Sequence, residues 1–240
     1  MTVLPYKEEK AGKKEQVARM FDNISHRYDF LNHLLSMGID KGWRKKAIKM
    51  LMPLKPKALL DVATGTGDFA IQALKLAPEH ITGIDISEGM LAVGKRKIAD
   101  RNLTDKITLQ FGDSENIPFG ENKFDAVTVA FGVRNFENLE KGLAEIFRVI
   151  KPGGMIVVLE FSRPKAFPFR QVYNFYFKFI LPKIGRLVSS DKAAYTYLPA
   201  SVEAFPDGQD FLQRLEKVGF KNTKCRTLTF GISSIYSGSK

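Results

Sequence analysis

Cysteine is almost absent from this chain of 240 residues, and the single cysteine, Cys225, cannot form an internal disulfide. No cluster of cysteine and histidine has the spacing of metal ligands, so we expect no metal site. No run of about 18 uncharged apolar residues occurs, and the N-terminus is charged where a signal peptide would be apolar. These absences predict an intracellular, cytoplasmic chain that does not span a membrane.

Positive charge is abundant, and the net charge is +11. Residues 1–57 hold 13 Lys and Arg against 6 Asp and Glu, and residues 163–192 hold 7 against 1. The remainder of the chain is slightly acidic. The two basic segments have three interpretations. They form solvated surface, they bind an anionic membrane surface, or, as the third choice, they bind nucleic acid.

The chain is long enough, at 44% hydrophobic residues, to bury the core of one α/β domain. From residue 57 onward, strand patterns alternate with turns and helical patterns, which predicts a doubly wound, mostly parallel sheet. The predicted strands lie near 57–62, 80–85, 106–111, 124–130 and 154–161, and the predicted helices near 67–76, 88–100 and 137–150.

Helical spacing flanks this predicted core on both sides. Residues 13–37 predict a helix with a break around Ser25, and residues 40–52 predict a basic amphipathic helix that ends at Pro53. After the core, residues 206–218 predict a further helix, and residues 221–238 predict two strands.

Residues 59–68 join an apolar strand to a glycine turn, in the order Leu-Leu-Asp-Val-Ala-Thr-Gly-Thr-Gly-Asp. Such a turn brings backbone N–H groups close to a ligand at a helix N-terminus. The match to Gly-x-Gly-x-x-Ala through Gly65, Gly67 and Ala70 is shared by dinucleotide and S-adenosylmethionine sites. Asp61 favours S-adenosylmethionine, because a carboxylate there suits the cationic methionyl end and would repel the pyrophosphate of NAD.

Further polar residues follow other predicted strands. Asp85 ends the second strand, where a ribose diol would be held in either type of site, and Asp113 ends the third. Ligands of doubly wound sheets bind beyond the carboxyl ends of the strands. Asp61, Asp85, Asp113 and residues 130–135 therefore predict one ligand site at this edge.

Several blocks of sequence resemble the UbiE/COQ5 family of quinone-biosynthesis C-methyltransferases, also called MenG, and the resemblance covers nearly the whole chain. The blocks are the run from Tyr28 to Ser36 with Trp43 after it, the run from Asp61 to Asp68, Phe131-Gly132-Val133-Arg134-Asn135, the run from Arg148 to Ser162, Tyr197-Leu198 and Phe205-Pro206. The chain departs from the family at Asp40, where histidine is usual, and at Ala63, the first position of the glycine motif.

The resemblance implies an α/β class I methyltransferase (Rossmann-like) fold, with a seven-stranded sheet, N-terminal helices and a helical substrate-cap insertion. Residues 1–56 would form a basic helical segment capping the site, and residues 57–162 the S-adenosylmethionine-binding core. Residues 163–205 would be an aromatic and basic insertion, and residues 206–240 a helix and hairpin that complete the sheet.

The implied reaction is methyl transfer from S-adenosylmethionine to a ring carbon of a polyprenylated quinol, with demethylmenaquinol to menaquinol as the leading interpretation. The alternatives are a polyprenyl benzoquinol of ubiquinone biosynthesis and another lipid or small-molecule substrate. A nucleic-acid-binding protein that kept only the fold is disfavoured, because the aromatic residues at 167–181 stand among aliphatic ones and not among polar ones. The resemblance leaves a homodimer open.

Three residues carry the implied chemistry. A quinol carbon becomes nucleophilic when an adjacent hydroxyl loses its proton, and the pKa of a phenol is about 10. Arg134 would stabilise the phenolate and orient a water that takes the proton, because arginine itself is a poor base. Asn135 would hold the ring, and Tyr28 would close the site. A simple ion pair of Arg134 with a carboxylate is the alternative.

The resemblance also implies the residues that bind the cofactor. Asp61 would lie near the amino group of S-adenosylmethionine, and Asp85 would hold the ribose hydroxyls. Gly65, Thr66 and Gly67 would surround the methionyl and ribose portions. At the far end of the cofactor, Asp113 would accept from the adenine amino group beside the backbone of Ser114.

Residues 166–188 have almost no polar face apart from scattered basic residues. A helix that is apolar on nearly all sides must be buried in protein, in a partner or in a membrane interface. Burial as ordinary core is one hypothesis, and contact with anionic lipid through a channel for the prenyl tail is the other. The residues concerned are Phe167, Phe169, Val172, Tyr173, Phe175, Tyr176, Phe177, Phe179, Ile180, Leu181 and Val188, with Lys165, Arg170, Lys178, Lys183 and Arg186.

Overall fold

A computed structural model describes residues 3–36, 38–176, 179 and 193–240. Its strands are β1 (Ala58–Val62), β2 (His80–Asp85), β3 (Ile107–Phe111), β4 (Phe124–Ala130), β5 (Ile150–Phe161), β6 (Lys221–Leu228) and β7 (Ser233–Ser239). They form one seven-stranded sheet in the order β3-β2-β1-β4-β5-β7-β6. Strand β7 runs antiparallel to the other six strands, so the predicted doubly wound sheet with a closing hairpin is confirmed.

The described helices follow the predicted alternation. They are α1 (Lys13–Leu35), α2 (Ile39–Leu51), α3 (Asp68–Ala73), α4 (Glu88–Asp100), α5 (Leu139–Val149), α6 (Phe169–Phe175), α7 (Ala193–Ala204) and α8 (Gln209–Val218). Short 3-10 turns lie at Met52–Leu54, Leu74–Leu76, Val133–Asn135 and Thr229–Gly231.

Helix α1 is continuous, and the predicted break around Ser25 is wrong. Ser25 is 2% exposed, and its hydroxyl donates to the carbonyl oxygen of Asp22 at 2.9 Å. A serine hydroxyl that bonds a carbonyl of the preceding turn is satisfied inside the helix. The helix therefore continues through a buried serine.

Two other predicted boundaries also differ. Helix α3 ends at Ala73 and passes into a 3-10 turn, so the helix predicted near 67–76 is two short elements. Strand β5 begins at Ile150 instead of 154, because Ile150 already pairs with Phe124 before the register of the ladder shifts.

The two faces of the sheet bury separate hydrophobic cores, with helices on each face. Leu60 and Val127 pack with α5 and α8 on one face, and Leu59 and Val157 pack with α2, α3 and α4 on the other. Side chains alternate between the faces of a strand. Asp61, two residues after Leu59, therefore points towards α2, α3 and α4.

Helices α1, α6 and α7 lie outside these layers, at the carboxyl edge of the sheet. Helices α1 and α7 share a third cluster, in which Val17 and Met20 pack with Ala194, Tyr195 and Tyr197. No helix within the described ranges is both long and apolar enough to cross a bilayer. Part of the predicted insertion lies outside the described residues, namely Phe177, Lys178, Ile180, Leu181, Lys183, Arg186 and Val188.

Candidate active site

The site is built where β1 and β4, the central pair of strands, both end. Ala63 after β1 has φ of 53° and Phe131 after β4 has φ of 59°, a left-handed conformation that is uncommon outside glycine. Gly132 lies against Ala63, and a Cβ at Gly132 would be 2.5 Å from the Cβ of Ala63. Only glycine allows the two turns to pass this closely. Beyond this contact, the loop after β1 and the loop after β4 separate.

Asp85 joins the glycine turn to the loop after β2. Its Oδ2 accepts from the backbone N–H of Gly65 at 2.8 Å, and its Oδ1 accepts from the N–H of Ser87 at 2.9 Å. Burial raises the pKa of Asp85 to about 6, although these backbone donors oppose the shift. An ionised carboxylate has about four acceptor positions, so both oxygens can still accept from a ligand.

A crevice of about 70 Å³ lies beside Asp85, with α1 as one of its walls. It is lined by Lys14, Val17, Phe21, Tyr28, Ala63, Gly65, Asp85, Ile86, Met90, Gly112, Asp113, Ser114, Glu115, Ala130, Phe131, Gly132, Asn135, Phe136 and Glu137. Five predicted cofactor or catalytic residues beyond Asp85 are thus brought together here, namely Gly65, Asp113, Ser114, Tyr28 and Asn135. Of the residues predicted to form one site, Asp85, Asp113 and four of residues 130–135 line this crevice.

Asp113 is tied to the beginning of α1. Its Oδ2 lies 2.7 Å from Nζ of Lys14, which is also 3.4 Å from the Glu115 carboxylate. The other oxygen of Asp113 accepts from the N–H of Glu115 at 2.9 Å. The predicted adenine end of the crevice is therefore the place where α1 is fastened by charge.

Asp61, Thr66 and Gly67 do not line the crevice. Asp61 is 1% exposed, and its two oxygens accept from the hydroxyls of Thr64 and Thr128, each at 2.6 Å. Burial raises the pKa of Asp61 to about 6, although the hydrogen bonds from the two hydroxyls lower it. The carboxylate thus supports the glycine turn from behind, and the cofactor roles of these three residues stay predictions.

A polar network beneath the glycine turn was not predicted from the sequence. Lys97 on α4 lies 2.8 Å from Asp68 on α3 and also pairs with Asp29 on α1, which accepts from the Thr66 hydroxyl. Burial alone would raise the pKa of Asp68, but the charge of Lys97 lowers it overall. Since the members come from three helices, no local motif marks them.

The same network explains Asp40, where the family usually has histidine. Asp40 is 1% exposed, and it accepts from the Ser36 hydroxyl at 2.7 Å and pairs with Arg44. The Nδ1 atom of His33 lies 3.0 Å from Asp40, and its Nε2 lies 3.5 Å from Asp68. Asp40 and His33 therefore join α1 and α2 to the core, and neither of them lines a cavity.

A second and larger cavity, of about 280 Å³, adjoins the crevice. Phe21, Tyr28 and Phe131 line both spaces and mark the junction. The remaining lining residues are Met20, Ile24, Asn32, Ser36, Ile39, Trp43, Arg134, Phe161, Phe169, Val172, Tyr173, Tyr176, Ala194, Tyr195, Tyr197, Leu198, Thr229 and Ile232. Among these described residues, Arg134 is the one charged side chain in an otherwise largely apolar wall.

Arg134 is held from two directions. Its Nη1 donates to Oε1 of Glu160 at 2.7 Å and to the carbonyl oxygen of Phe131, and the side chain of Glu160 is fully buried. Burial raises the pKa of Glu160, although the charge of Arg134 opposes the shift. The ion pair that was the alternative role for Arg134 is therefore present, and Arg134 lines the large cavity as well.

The turn that carries Arg134 and Asn135 is pinned by the beginning of α1. Nζ of Lys13 donates to the carbonyl oxygens of Arg134, at 3.2 Å, and of Phe136, at 2.7 Å. Burial lowers the pKa of Lys13, and the Arg134 charge adds to this, against the charge of Glu137. A partly buried lysine thus fixes the two predicted catalytic residues relative to α1.

Tyr28 occupies the junction of the two spaces. Burial raises its pKa to about 12, although the charges of Arg134 and Arg44 oppose the shift. Its hydroxyl therefore stays protonated at neutral pH, and Tyr28 can donate a hydrogen bond but cannot act as a base there.

Comparison with known proteins identifies the family to which the chain belongs. A sequence profile of the ubiE/COQ5 methyltransferase family matches residues 8–240. A protein of Bacteroides fragilis named demethylmenaquinone methyltransferase is 49% identical over 240 residues, which cover 99% of this chain and 97% of that protein. The chain belongs to the ubiE/COQ5 methyltransferase family. It is therefore an S-adenosylmethionine-dependent methyltransferase, and the expected enzyme class and cofactor are confirmed.

Two further matches agree with this assignment. A protein of Geotalea daltonii named ubiquinone/menaquinone biosynthesis C-methyltransferase UbiE is 46% identical over 230 residues, covering 95% of this chain and 97% of that protein. A solved structure of a methyltransferase from Thermotoga maritima covers 92% of this chain and 99% of its own, with a TM-score of 0.66 and 18% identity. The second match confirms the class I methyltransferase fold.

Asp85 still offers acceptor positions for a ribose diol, and Asp113 and Ser114 line the same crevice. These are residues that we expect to hold S-adenosylmethionine. We expect Asp85→Ala to weaken cofactor binding about a hundredfold or more, because two hydrogen bonds to a charged group contribute about 1.5–3 kcal/mol each. Isothermal titration calorimetry with S-adenosylmethionine measures this change.

Asp125→Ala is the matched control for this prediction. Asp125 also accepts from two backbone N–H groups, those of Lys57 and Ala58 at 2.9 and 2.8 Å, but at the opposite edge of the sheet. This variant should lose stability and keep cofactor affinity. Unchanged affinity in Asp85→Ala, or tight binding of NAD by the parent protein, would contradict the assignment of Asp85.

Proposed function

We propose that this chain methylates a ring carbon of a polyprenylated naphthoquinol, converting demethylmenaquinol to menaquinol. The observation that carries the proposal is the large cavity, which is largely apolar, contains Arg134 in its wall and adjoins the cofactor crevice at Phe21, Tyr28 and Phe131. A prenyl tail requires apolar walls, and an ionising ring requires one positive charge. The name of the Bacteroides fragilis relative, demethylmenaquinone methyltransferase, supports the same substrate.

A polyprenyl benzoquinol is the second candidate, because the Geotalea daltonii relative is named for ubiquinone as well as menaquinone biosynthesis. Both head groups carry two ring hydroxyls and a prenyl chain, so the same cavity would accept either. The class of reaction is the same in both cases, and only the head group differs.

The chemistry begins with the loss of a proton from the ring hydroxyl beside the reacting carbon. When bound, S-adenosylmethionine would supply an electrophilic methyl group, and the ring carbon that takes it would lose its hydrogen as a proton to restore the aromatic ring. Arg134 stays protonated because the pKa of arginine exceeds about 12, so its guanidinium stabilises the phenolate that forms. The proton leaves through water, since no carboxylate or histidine is among the described residues that line the large cavity.

Glu160 fixes Arg134 for this task. Its Oε1 accepts from Nη1 of Arg134 and also from the N–H of Phe161, at 2.8 Å. The Nε atom of Arg134 remains without a partner among the described residues. The guanidinium is therefore held in place through Nη1, and the described residues do not use all of its donors.

We also propose that the chain binds the inner face of the cytoplasmic membrane as a peripheral protein. Helix α6 lines the large cavity through Phe169 and Tyr173 and contains no buried residue, which argues against ordinary core. Phe167 and Phe230 beside it are 80% and 67% exposed. Aromatic groups at the surface of a basic segment suit an anionic lipid interface.

The head group is tested by extracting quinones from a strain that lacks this gene. We expect demethylmenaquinone to accumulate, and the normal menaquinone to return when the gene is restored. Accumulation of a demethylated benzoquinone alone would replace the naphthoquinol by the second candidate. Unchanged quinones would contradict quinol methylation altogether.

Arg134→Lys tests the catalytic role of the guanidinium. The variant keeps the charge but loses the planar fork, so the turnover rate should fall roughly 10- to 100-fold while cofactor affinity stays the same. Steady-state assays with S-adenosylmethionine and a short-chain quinol measure the change.

Arg148→Lys is the matched control for Arg134→Lys. Arg148 also bonds a carboxylate, that of Glu145 at 2.7 Å, and backbone carbonyls, but it lines neither cavity. It should lose stability and keep its turnover rate. Equal turnover in Arg134→Lys and the parent protein would mean that Arg134 does not stabilise the phenolate.

Liposome sedimentation tests the membrane proposal. Binding should rise with anionic lipid and fall with salt, because each basic residue near the surface contributes about 1 kcal/mol. It should also drop when Lys178, Lys183 and Arg186, outside the described residues, are replaced by Glu. Replacing the exposed Phe167 and Phe230 by Ser should lower it further.

Phe111→Ser is the control for the aromatic replacements in this assay. Phe111 is 59% exposed at the end of β3 and lines neither cavity. Its replacement should leave liposome binding unchanged. If the amount of protein that sediments with liposomes does not change with lipid charge, with salt or with any of these replacements, the membrane proposal is wrong.

A further inference from the structure

Four buried side-chain atoms lack a hydrogen-bond partner among the described residues. They are Nε of Arg44, Nε of Arg134, Oδ1 of Asn135 and the hydroxyl of Tyr197. Buried polar groups in native proteins are nearly always paired, so each exception needs an explanation. Three of the four belong to residues that line the large cavity or the crevice. The unsatisfied groups are therefore concentrated where ligands are expected.

Tyr197 is the member of this set that the catalytic scheme does not use. It lies on α7, is 3% exposed and lines the large cavity together with Arg134. Its ring packs with Val17 and Met20 of α1, which fixes the side chain. Burial raises the pKa of Tyr197 to about 12, with the charge of Arg134 lowering it and that of Glu160 raising it.

The packing of α7 indicates where Tyr197 lies. Helix α7 packs against the 3-10 turn Val133–Asn135, which carries Arg134, and Tyr197 and Arg134 line the same cavity. A tyrosine that stays protonated at neutral pH acts as a hydrogen-bond donor. The wall that α7 and this turn form thus contains a neutral donor and a cation.

Packing does not account for the hydroxyl. Phenylalanine would fill the same space, and a buried hydroxyl without a partner costs about 1–3 kcal/mol. An isoprenoid tail offers no acceptor. The oxygens of the quinol ring are the only acceptors that the proposed substrate brings into this cavity.

We propose that the Tyr197 hydroxyl donates a hydrogen bond to the ring oxygen that Arg134 faces, the oxygen that becomes negative when its proton leaves. The inference rests on the proposed function and assigns it a further catalytic residue. Arg134 and Tyr197 then form a two-donor site for the phenolate, with one donor from the turn after β4 and the other from α7. Donors aimed at developing charge accelerate a reaction more than they tighten substrate binding.

Tyr197→Phe tests this inference in steady-state assays with a short-chain demethylmenaquinol. We expect kcat to fall roughly 10- to 100-fold while KM stays within about twofold. The rising limb of the pH–rate profile should move up by about one unit, because the lost hydrogen bond no longer favours the phenolate. The melting temperature should not fall, since no protein group loses a partner.

Tyr236→Phe is the matched control. The Tyr236 hydroxyl is also buried, but it accepts from the N–H of Gly208 at 2.8 Å and lines neither cavity. This variant should melt at a lower temperature and keep the parent kcat and pH profile. The pair thus separates the loss of a structural hydroxyl from the loss of a catalytic one.

Each contrary outcome for Tyr197→Phe has a distinct meaning. Parent values of kcat and of the pH profile would overturn the inference alone. A lower kcat with a lower melting temperature and an unmoved pH profile would also overturn it, in favour of a structural role. Failure of the parent protein to methylate any quinol would overturn the proposed function, and this inference with it.

Discussion

The close contact between the ends of β1 and β4 is the constraint on which the rest of the site depends. Two neighbouring parallel strands end in left-handed residues, Ala63 and Phe131, and Gly132 lets the turns pass with almost no space between them. One turn leads to the glycine loop and the other to Arg134. A larger residue at Gly132 would separate the loops and with them the crevice and the large cavity.

The cation of the large cavity is paired within the protein. Arg134 is paired with a fully buried Glu160, and breaking such a pair leaves an uncompensated charge that costs several kcal/mol. The pair therefore fixes the guanidinium, but the negative charge of Glu160 weakens the attraction of Arg134 for a phenolate. A neutral donor beside it, such as the Tyr197 hydroxyl, adds stabilisation for a phenolate without another buried charge to desolvate.

Local patterns predicted the strands, the glycine turn and the position of Asp85, because each depends on residues close together in the chain. The predicted break at Ser25 is wrong because the Ser25 hydroxyl finds a hydrogen-bond acceptor inside α1. The ion pairs of Lys97 and the orphaned hydroxyl of Tyr197 depend on partners or spaces contributed by distant elements. No spacing in the sequence marks such contacts, so they become visible only once the helices are placed.

Helix α1 connects the two halves of the site through consecutive lysines at its beginning. Lys13 holds the carbonyl oxygens of the catalytic turn, and Lys14 holds Asp113 at the predicted adenine end. Further along the same helix, Phe21 and Tyr28 form walls of both spaces. A displacement of α1 would therefore change the cofactor crevice and the position of Arg134 together. The crevice and the large cavity are thus linked through one helix, so the N-terminal segment shapes both spaces.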